Sequence, residues 1–494
     1  MIHVMKRCIL LLVLLVFAPR LARAQTPEWS APEKGDNRYI KIIGQDDEGF
    51  FVLKSNMPLS DYRLSSGLKR RDYSLSYYSD DMKLRWEKPV TPFAKDDKAL
   101  AVVFLDGKPV VVNVHILADE KKFILSAQKI NNTGAAEGAV MPVNEMFFER
   151  KNELEDFDFI VSQNQKRLLC FQNGTTSDGN QAFSTILMNA SLETEYKKIV
   201  QLPVLSKEMS VASLVLSNDA RLYVLDKNRR EGKAEGAGYS LFSYNYGKDS
   251  LASAELNLEG KFISAAMPAI DNANKRLVVA GFYSEKNSYS IAGTCYISLN
   301  YSTLAVNVSR TEPFEPTFLT RVIGESQANK GKELTNYYID RVILRNDGGA
   351  VVVAESFYTS TSSYYDVFLQ SYMTRTNYHY NSIITVSMNP DGSMHWPQVI
   401  NKSQTSQEDG GLYSSYCLLP YQNKIYFIYN EFSGRTNRVM ISSISNTSQQ
   451  TNSILFKGNE QVVLISRAAK QTDQDVLIIP GERNEKFCYL KLSF

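Results

Sequence analysis

The feature that most restricts this chain is a recurrence: two apolar, β-branched runs flanking a polar turn, met again at intervals of roughly 50 to 75 residues. Eight such hairpins are legible. The first four are Tyr39 to Ser55 turning at Asp46-Asp47-Glu48-Gly49, Ala99 to Asn113 at Asp106-Gly107, Phe157 to Gln172 at Asn164-Gln165-Lys166, and Val211 to Asp226 at Asn218-Asp219. Met267 to Phe282 turns at Asp271-Asn272, Arg341 to Glu355 at Asn346-Asp347-Gly348-Gly349 and Tyr416 to Asn430 at Gln422-Asn423, and Val462 to Pro480 ends the series. Asn, Asp and Gly fill the turns because they tolerate positive φ or bond their own backbone.

Each hairpin but the last is followed by another, so the unit has four strands. Leu75 to Trp86 and Thr385 to Trp396 both place an Asp, Asp81 or Asp391, five residues before a Trp. The same shape recurs at Gln128 to Gly134, Met188 to Thr194, Tyr244 to Leu251, Leu299 to Leu304 and Ile444 to Thr451. A repeated four-stranded unit reads as a propeller blade, which makes the chain all-β, with eight blades favoured over seven. A sandwich assembly is the competing architecture, but it predicts no regular four-strand period. The eighth unit offers only three strands, Val462 to Arg467, Asp475 to Pro480 and Lys486 to Leu492. Its fourth is expected from Pro27-Glu28-Trp29-Ser30, which would close the ring and place Trp29 on an outer strand like Trp86 and Trp396.

Residues 1–24 have the parts of a secretory signal: Lys6 and Arg7, the apolar run Ile9 to Ala18, then Ala22-Arg23-Ala24 before Gln25. Residues 25–494 are then expected to form the propeller domain. No run is long enough to span a bilayer as a helix. Removing Lys6, Arg7, Arg20 and Arg23 from 55 basic residues leaves 51 against 53 acids, a net −2, so no electrostatic case for nucleic-acid binding survives. Cys170, Cys295, Cys417 and Cys488 each sit in an apolar strand-like run of a different unit, and are read as four buried thiols rather than two disulfides.

The order of strands in a propeller puts first-to-second and third-to-fourth turns on one face, and the remaining connections on the other. Here the first class is tight. The long segments, Asn56 to Asp72, Lys227 to Gly238, Thr311 to Thr335, Ser356 to Tyr380 and Asn401 to Gly411, all fall in the second. Ser356 to Tyr380 carries Tyr358, Tyr364, Tyr365, Tyr372 and Tyr378 among Ser and Thr, and such rings suit a recognition surface, unless they pack the insertion onto its own blade. Lys69, Arg70 and Arg71, with Arg229 and Arg230, are basic clusters expected on the same face, either as solvated charge or as contacts to an acidic ligand. Second strands end in Gln172, Asp226, Glu355, Asn430 and Glu482, which geometry carries toward the channel mouth. There they either cap loop backbone or supply paired acid and base groups.

No nucleophile elbow, Walker loop, zinc-protease helix or EF-hand loop is found, and His115, His379 and His395 are far apart in the sequence, so no catalytic residue, metal or cofactor is assigned. Asp391 and Trp396 stand at the spacing of a sialidase Asp-box, but Asn389 and Ser393 replace its Ser and Gly. At Val278 to Tyr283, Val351 to Glu355, Tyr380 to Gln404 and Tyr413 to Asn430 the chain resembles uncharacterised exported proteins of Bacteroidota-type bacteria. That resemblance implies a Gram-negative, exported setting and no activity. The blade pattern is similar to quinoprotein-like and WD-type propellers as a fold only. The expected function is therefore a non-enzymatic binding or scaffold protein for a protein or glycan of the cell envelope. A glycan-active hydrolase or lyase using channel-mouth carboxylates is the first alternative, and a structural envelope protein the second.

The thiols give a direct check. Alkylation of the mature protein under denaturing, non-reducing conditions should add four adducts by mass spectrometry; two or fewer would reveal a disulfide.

Overall fold

A computed structural model describes residues 26–33, 39–55, 73–91, 97–147, 157–228, 238–286, 288–368, 370–433, 436–456 and 461–494. The strands form eight antiparallel sheets of at least four strands, laid out as the blades of a propeller. In blades one to seven the four strands follow chain order, from the inner strand (Tyr39–Gln45 in blade one, Tyr337–Leu344 in blade six) to the outer (Leu84–Pro89, Met394–Ile400). Blade eight takes its outer strand from the other end of the chain: Thr26–Trp29 pairs with Lys486–Ser493, Trp29 opposite Leu490 and Thr26 opposite Ser493.

The middle strands of a blade are buried on both faces because each face is covered by a neighbouring blade. A buried apolar cluster consequently lies between every adjacent pair of blades. The last of these joins Ile40, Ile42, Phe50 and Val52 of blade one to Ile478 and Tyr489 of blade eight, and so completes the ring. Cys170, Cys295, Cys417 and Cys488 are buried free thiols in blades three, five, seven and eight. Burial raises all four, and pushes Cys295, Cys417 and Cys488 to about 12.

The repeat is more regular in conformation than in sequence. The third-to-fourth turn of blades one to seven holds one residue at positive φ: Met82, Gly134, Leu192, Asp249, Leu304, Gly392 and Ser448, between 50° and 82°. A leucine there costs about 1 kcal/mol of backbone strain, but burying its side chain contributes about 2. Leu192 and Leu304 accordingly pack into inter-blade clusters. Gly392 has no such choice, because a Cβ would stand 2.7 Å from the Arg310 side chain of the preceding blade. A second repeated device is a bulge in the inner strand. Ile43, Leu100, Ala212, Ser264 and Asp340 are the extra residues in blades one, two, four, five and six.

Several expectations are corrected. Ser356 to Tyr380 is no loop insertion: the second and third strands of blade six, Ala350–Asp366 and Ser371–Met388, run on as one long hairpin beyond the blade. Within Thr311 to Thr335 the chain forms helices, α1 (Pro316–Ile323) and α2 (Glu325–Ala328), which the absence of a long apolar period concealed. Phe318 of α1 is buried against blades five and six. The inner strand of blade eight is broken into Val462–Leu464 and Lys470–Asp473 around a 3-10 turn, Ser466–Ala468. Trp29 does lie on an outer strand, but it faces the preceding blade, 5.6 Å from Phe456. Trp86 and Trp396 instead donate to carbonyls of the following blade, at Asn132 and Asn446.

Ring closure has a buried ionic component that apolar patterning does not reveal. Lys54, fully buried in the second strand of blade one, donates to Glu33 just beyond the N-terminal strand (2.8 Å), to Glu87 (3.0 Å) and to the Tyr78 hydroxyl (2.9 Å). Burial works against the Glu87 carboxylate, yet the Lys54 charge holds it below the ordinary range. Lys54→Ala strands these carboxylates without their cation, and should cost about 3 kcal/mol in urea unfolding. A loss under about 1 kcal/mol would show that the cluster contributes nothing to closure.

Candidate functional site

The connections of blade six make the most elaborate part of the molecule. Beyond Glu355 the register is shifted by an extra residue in the third strand, where Asn381 and Ser382 face Ser356, and the pairing continues from Phe357, opposite Tyr380, to Asp366, opposite Ser371. Thr and Tyr sustain this extension because they combine high β-propensity with polar groups that accept exposure. The link to blade seven supplies a third strand to the arm, Gln404–Gln407, paired with Asn377 to Tyr380.

The base of the arm is fixed. Tyr380 is buried and packs against Phe357 with the rings tilted and their centroids 4.6 Å apart. Its hydroxyl accepts from Arg467 Nη1 in the 3-10 turn of blade eight (2.8 Å), and its carbonyl from Lys402 Nζ (3.1 Å). Gly411, at φ 74°, lets the link pass close by; a Cβ there would stand 2.4 Å from the Tyr380 ring. Along the arm the rings pack on one another. Tyr358 stacks on His379 at 4.5 Å, Arg375 lies 3.8 Å from the Tyr364 ring, and Tyr365 meets Tyr372 edge-on at 5.3 Å. Tyr378 is half-buried. At the tip, exposure is large: Phe368 98%, Tyr372 78%, Val367 74% and Tyr365 51%.

The residues expected at the channel mouth are engaged by separate partners. Asp226, Glu355 and Glu482 belong to blades four, six and eight and serve local partners. Asp226 accepts the Ser210 amide at 2.7 Å. Glu482 accepts the Tyr413 hydroxyl at 2.5 Å. Glu355 is buried with Lys402 in an ion pair of 2.5 Å and also accepts Ser415 Oγ at 2.6 Å, so both its oxygens are engaged. Asn430 joins blade seven to blade eight, donating to the Leu464 carbonyl (2.7 Å) and accepting the Leu464 amide (3.0 Å). Gln172 is buried in blade three. Lys69, Arg70, Arg71, Arg229 and Arg230 lie outside the described residues. Among the described residues no group of three His, Cys, Asp or Glu side chains stands as a metal site.

Sequence reasoning missed Asp340. It is the bulged residue of the inner strand of blade six, where other blades place Ile, Leu, Ala or Ser, and its Oδ2 accepts the Tyr416 hydroxyl at 2.5 Å. The residue as a whole is exposed, yet protein surrounds its carboxyl on most sides. Desolvation, reinforced by the nearby Glu355 charge, raises it to about 6 against the opposing pull of Tyr416, Arg467 and Lys402. Alignment of the blade starts would have singled it out as a carboxyl in an otherwise apolar or small column.

No family model and no curated protein matches this chain. Among solved structures it is similar to the WD40 domain of SCAP from fission yeast, at 8% identity and a TM-score of 0.41 over 95% of this chain and 98% of that one. The polysaccharide lyase Uly1 aligns at 10% identity and 0.39 over 96% and 94%. The acylaminoacyl peptidase of Pyrococcus horikoshii aligns at 9% and 0.37 over 92% of this chain and 59% of its own. Likenesses this distant carry no activity to this chain.

Asp340 makes stability depend on pH in a definite direction. A carboxyl raised in the folded state binds its proton more tightly there than when unfolded, so its contribution is complete below about pH 4 and is lost as pH rises through about 6. Asp340→Asn should therefore be more stable than wild type at pH 7, with the difference disappearing below pH 4. Parallel urea midpoints across this range would contradict the assignment.

Proposed function

We propose that the chain is an exported, non-enzymatic binding or scaffold protein of the periplasm or cell surface, which holds a protein or glycan of the envelope on its elaborated face. The observation that carries this reading is the blade-six arm. A hairpin clamped at its base by Tyr380, Arg467 and Lys402 presents Val367, Phe368 and Tyr372 to solvent at its far end. Exposing rings on a rigid extension forfeits their burial energy in the free protein, and aromatic anchors on a preorganised support are what a partner's surface recovers. The secretory reading of residues 1–24 supplies the compartment. Glu355, paired to Lys402, and Asp226 and Glu482, held by local donors, favour binding over acid–base chemistry at the mouth.

Replacing Tyr365, Phe368 and Tyr372 together by Ser should abolish capture of an envelope partner, or of an arrayed glycan, while shifting the melting temperature by no more than about 2 °C, because exposed rings contribute little to the core. A triple variant that melts far lower would show that the rings stabilise the fold instead. Consumption of a glycan over time by the wild type would replace the binding reading with the hydrolase or lyase.

A further inference from the structure

The opposite end of the channel, on the side of the first-to-second strand turns, opens into a cavity of about 1180 Å³. Inner strands of blades three to six form its wall, among them Val161, Val215, Ala269, Ile270, Val342 and Ile343. The polar groups of the lining are nearly all committed to the protein itself. The Asn164 amide donates to Asn218 Oδ1 (3.1 Å), the Asn218 amide to Asn272 Oδ1 (3.0 Å), and Asn272 Nδ2 to Gln163 Oε1 (2.7 Å), a chain that ties three neighbouring turns together. Asp271 is held by Arg276 and by the Asn274 amide, and Arg345 by Asp347 and Ser387.

Arg341 differs from these. It stands midway along the inner strand of blade six, one residue beyond the Asp340 bulge, is exposed, and lines the cavity. Among the described residues its guanidinium has no hydrogen-bond or ion-pair partner, and its charge acts on the Tyr416 phenol through space. A guanidinium keeps its charge at any ordinary pH and offers a planar fork matched to a carboxylate.

We propose that this cavity binds an amphipathic carboxylate, a molecule with an apolar body against the aliphatic wall and one carboxylate on Arg341. The chemistry of the lining excludes the other classes in turn. A neutral apolar ligand would leave Arg341 desolvated without an anion, and a cation would be repelled by it. A sugar needs donors and acceptors spread over its surface, whereas the amides here already bond each other. The site lies on the face opposite the blade-six arm and stands independently of that arm's role.

Isothermal calorimetry of the full mature protein with decanoate, decyltrimethylammonium and decyl maltoside tests the assignment. Decanoate should bind, and neither the cation nor the neutral detergent should bind comparably. Arg341→Gln should weaken decanoate at least tenfold, Arg341→Lys should retain most of the affinity, and Ala269→Trp, which fills the cavity, should abolish it. Melting temperatures of the variants report folding, and the Arg341 pair remains decisive if the bulky variant fails to fold. Absence of decanoate binding to wild type, unchanged affinity in Arg341→Gln, or equal binding of the ammonium would overturn the proposal.

Discussion

The pairing of Thr26–Trp29 with Lys486–Ser493 is the contact on which the rest of the molecule depends. A blade buries its two faces only by standing between two others, so a row of eight sheets has two apolar faces left over unless its ends meet. Drawing the outer strand of blade eight from the beginning of the chain couples the meeting of the ends to the completion of a sheet, and removes a strand edge at the same time. The neighbouring cluster of Lys54 with Glu33, Glu87 and Tyr78 acts on the same junction from inside blade one. A buried cation there specifies which carboxylate must arrive, whereas apolar packing alone accepts any strand of suitable shape.

Once the ring is closed, regularity and departure from it divide the two faces. Third-to-fourth turns repeat one conformation in seven blades with different residues, because a left-handed position accepts Gly readily and accepts Met or Leu where the side chain gains a buried site. Blade six departs from the pattern. Among the described residues it alone prolongs its middle strands beyond the blade, has a carboxyl at the inner-strand bulge, and receives a strap from the next link. Lys402 on that strap neutralises Glu355 and bonds Tyr380, and Arg467 reaches across from blade eight to the same tyrosine. The arm is thereby built into the ring across three blades, and recognition by its tip would draw on that rigidity.

The fold was largely legible from local pattern. Alternation of apolar and polar residues and turn chemistry depend on neighbours in sequence, so the eight hairpins, the four-strand unit and the missing strand of blade eight could be read directly. The arm was legible only in composition: the tyrosines marked Ser356 to Tyr380 as unusual, but a Ser- and Thr-rich stretch has no apolar alternation to announce a strand. The catalytic reading of Asp226, Glu355 and Glu482 drew on the rule that second strands end at the channel mouth. That rule places a residue on a face without saying what meets it.

What the sequence by itself determined is therefore everything carried by period and by short-range chemistry: an all-β chain, four strands to a blade, tight turns on one face and long connections on the other. Tertiary structure decided which groups share an environment. Trp29 faces back toward Phe456 while Trp86 reaches forward to Asn132, although all three tryptophans lie on outer strands. Asp340 is raised because surrounding protein desolvates it and the Glu355 charge adds to that, against the bond from Tyr416, 76 positions away in the chain. Burial and charge are properties of such encounters between blades, and the chain between the partners sets no constraint on them until the ring has closed.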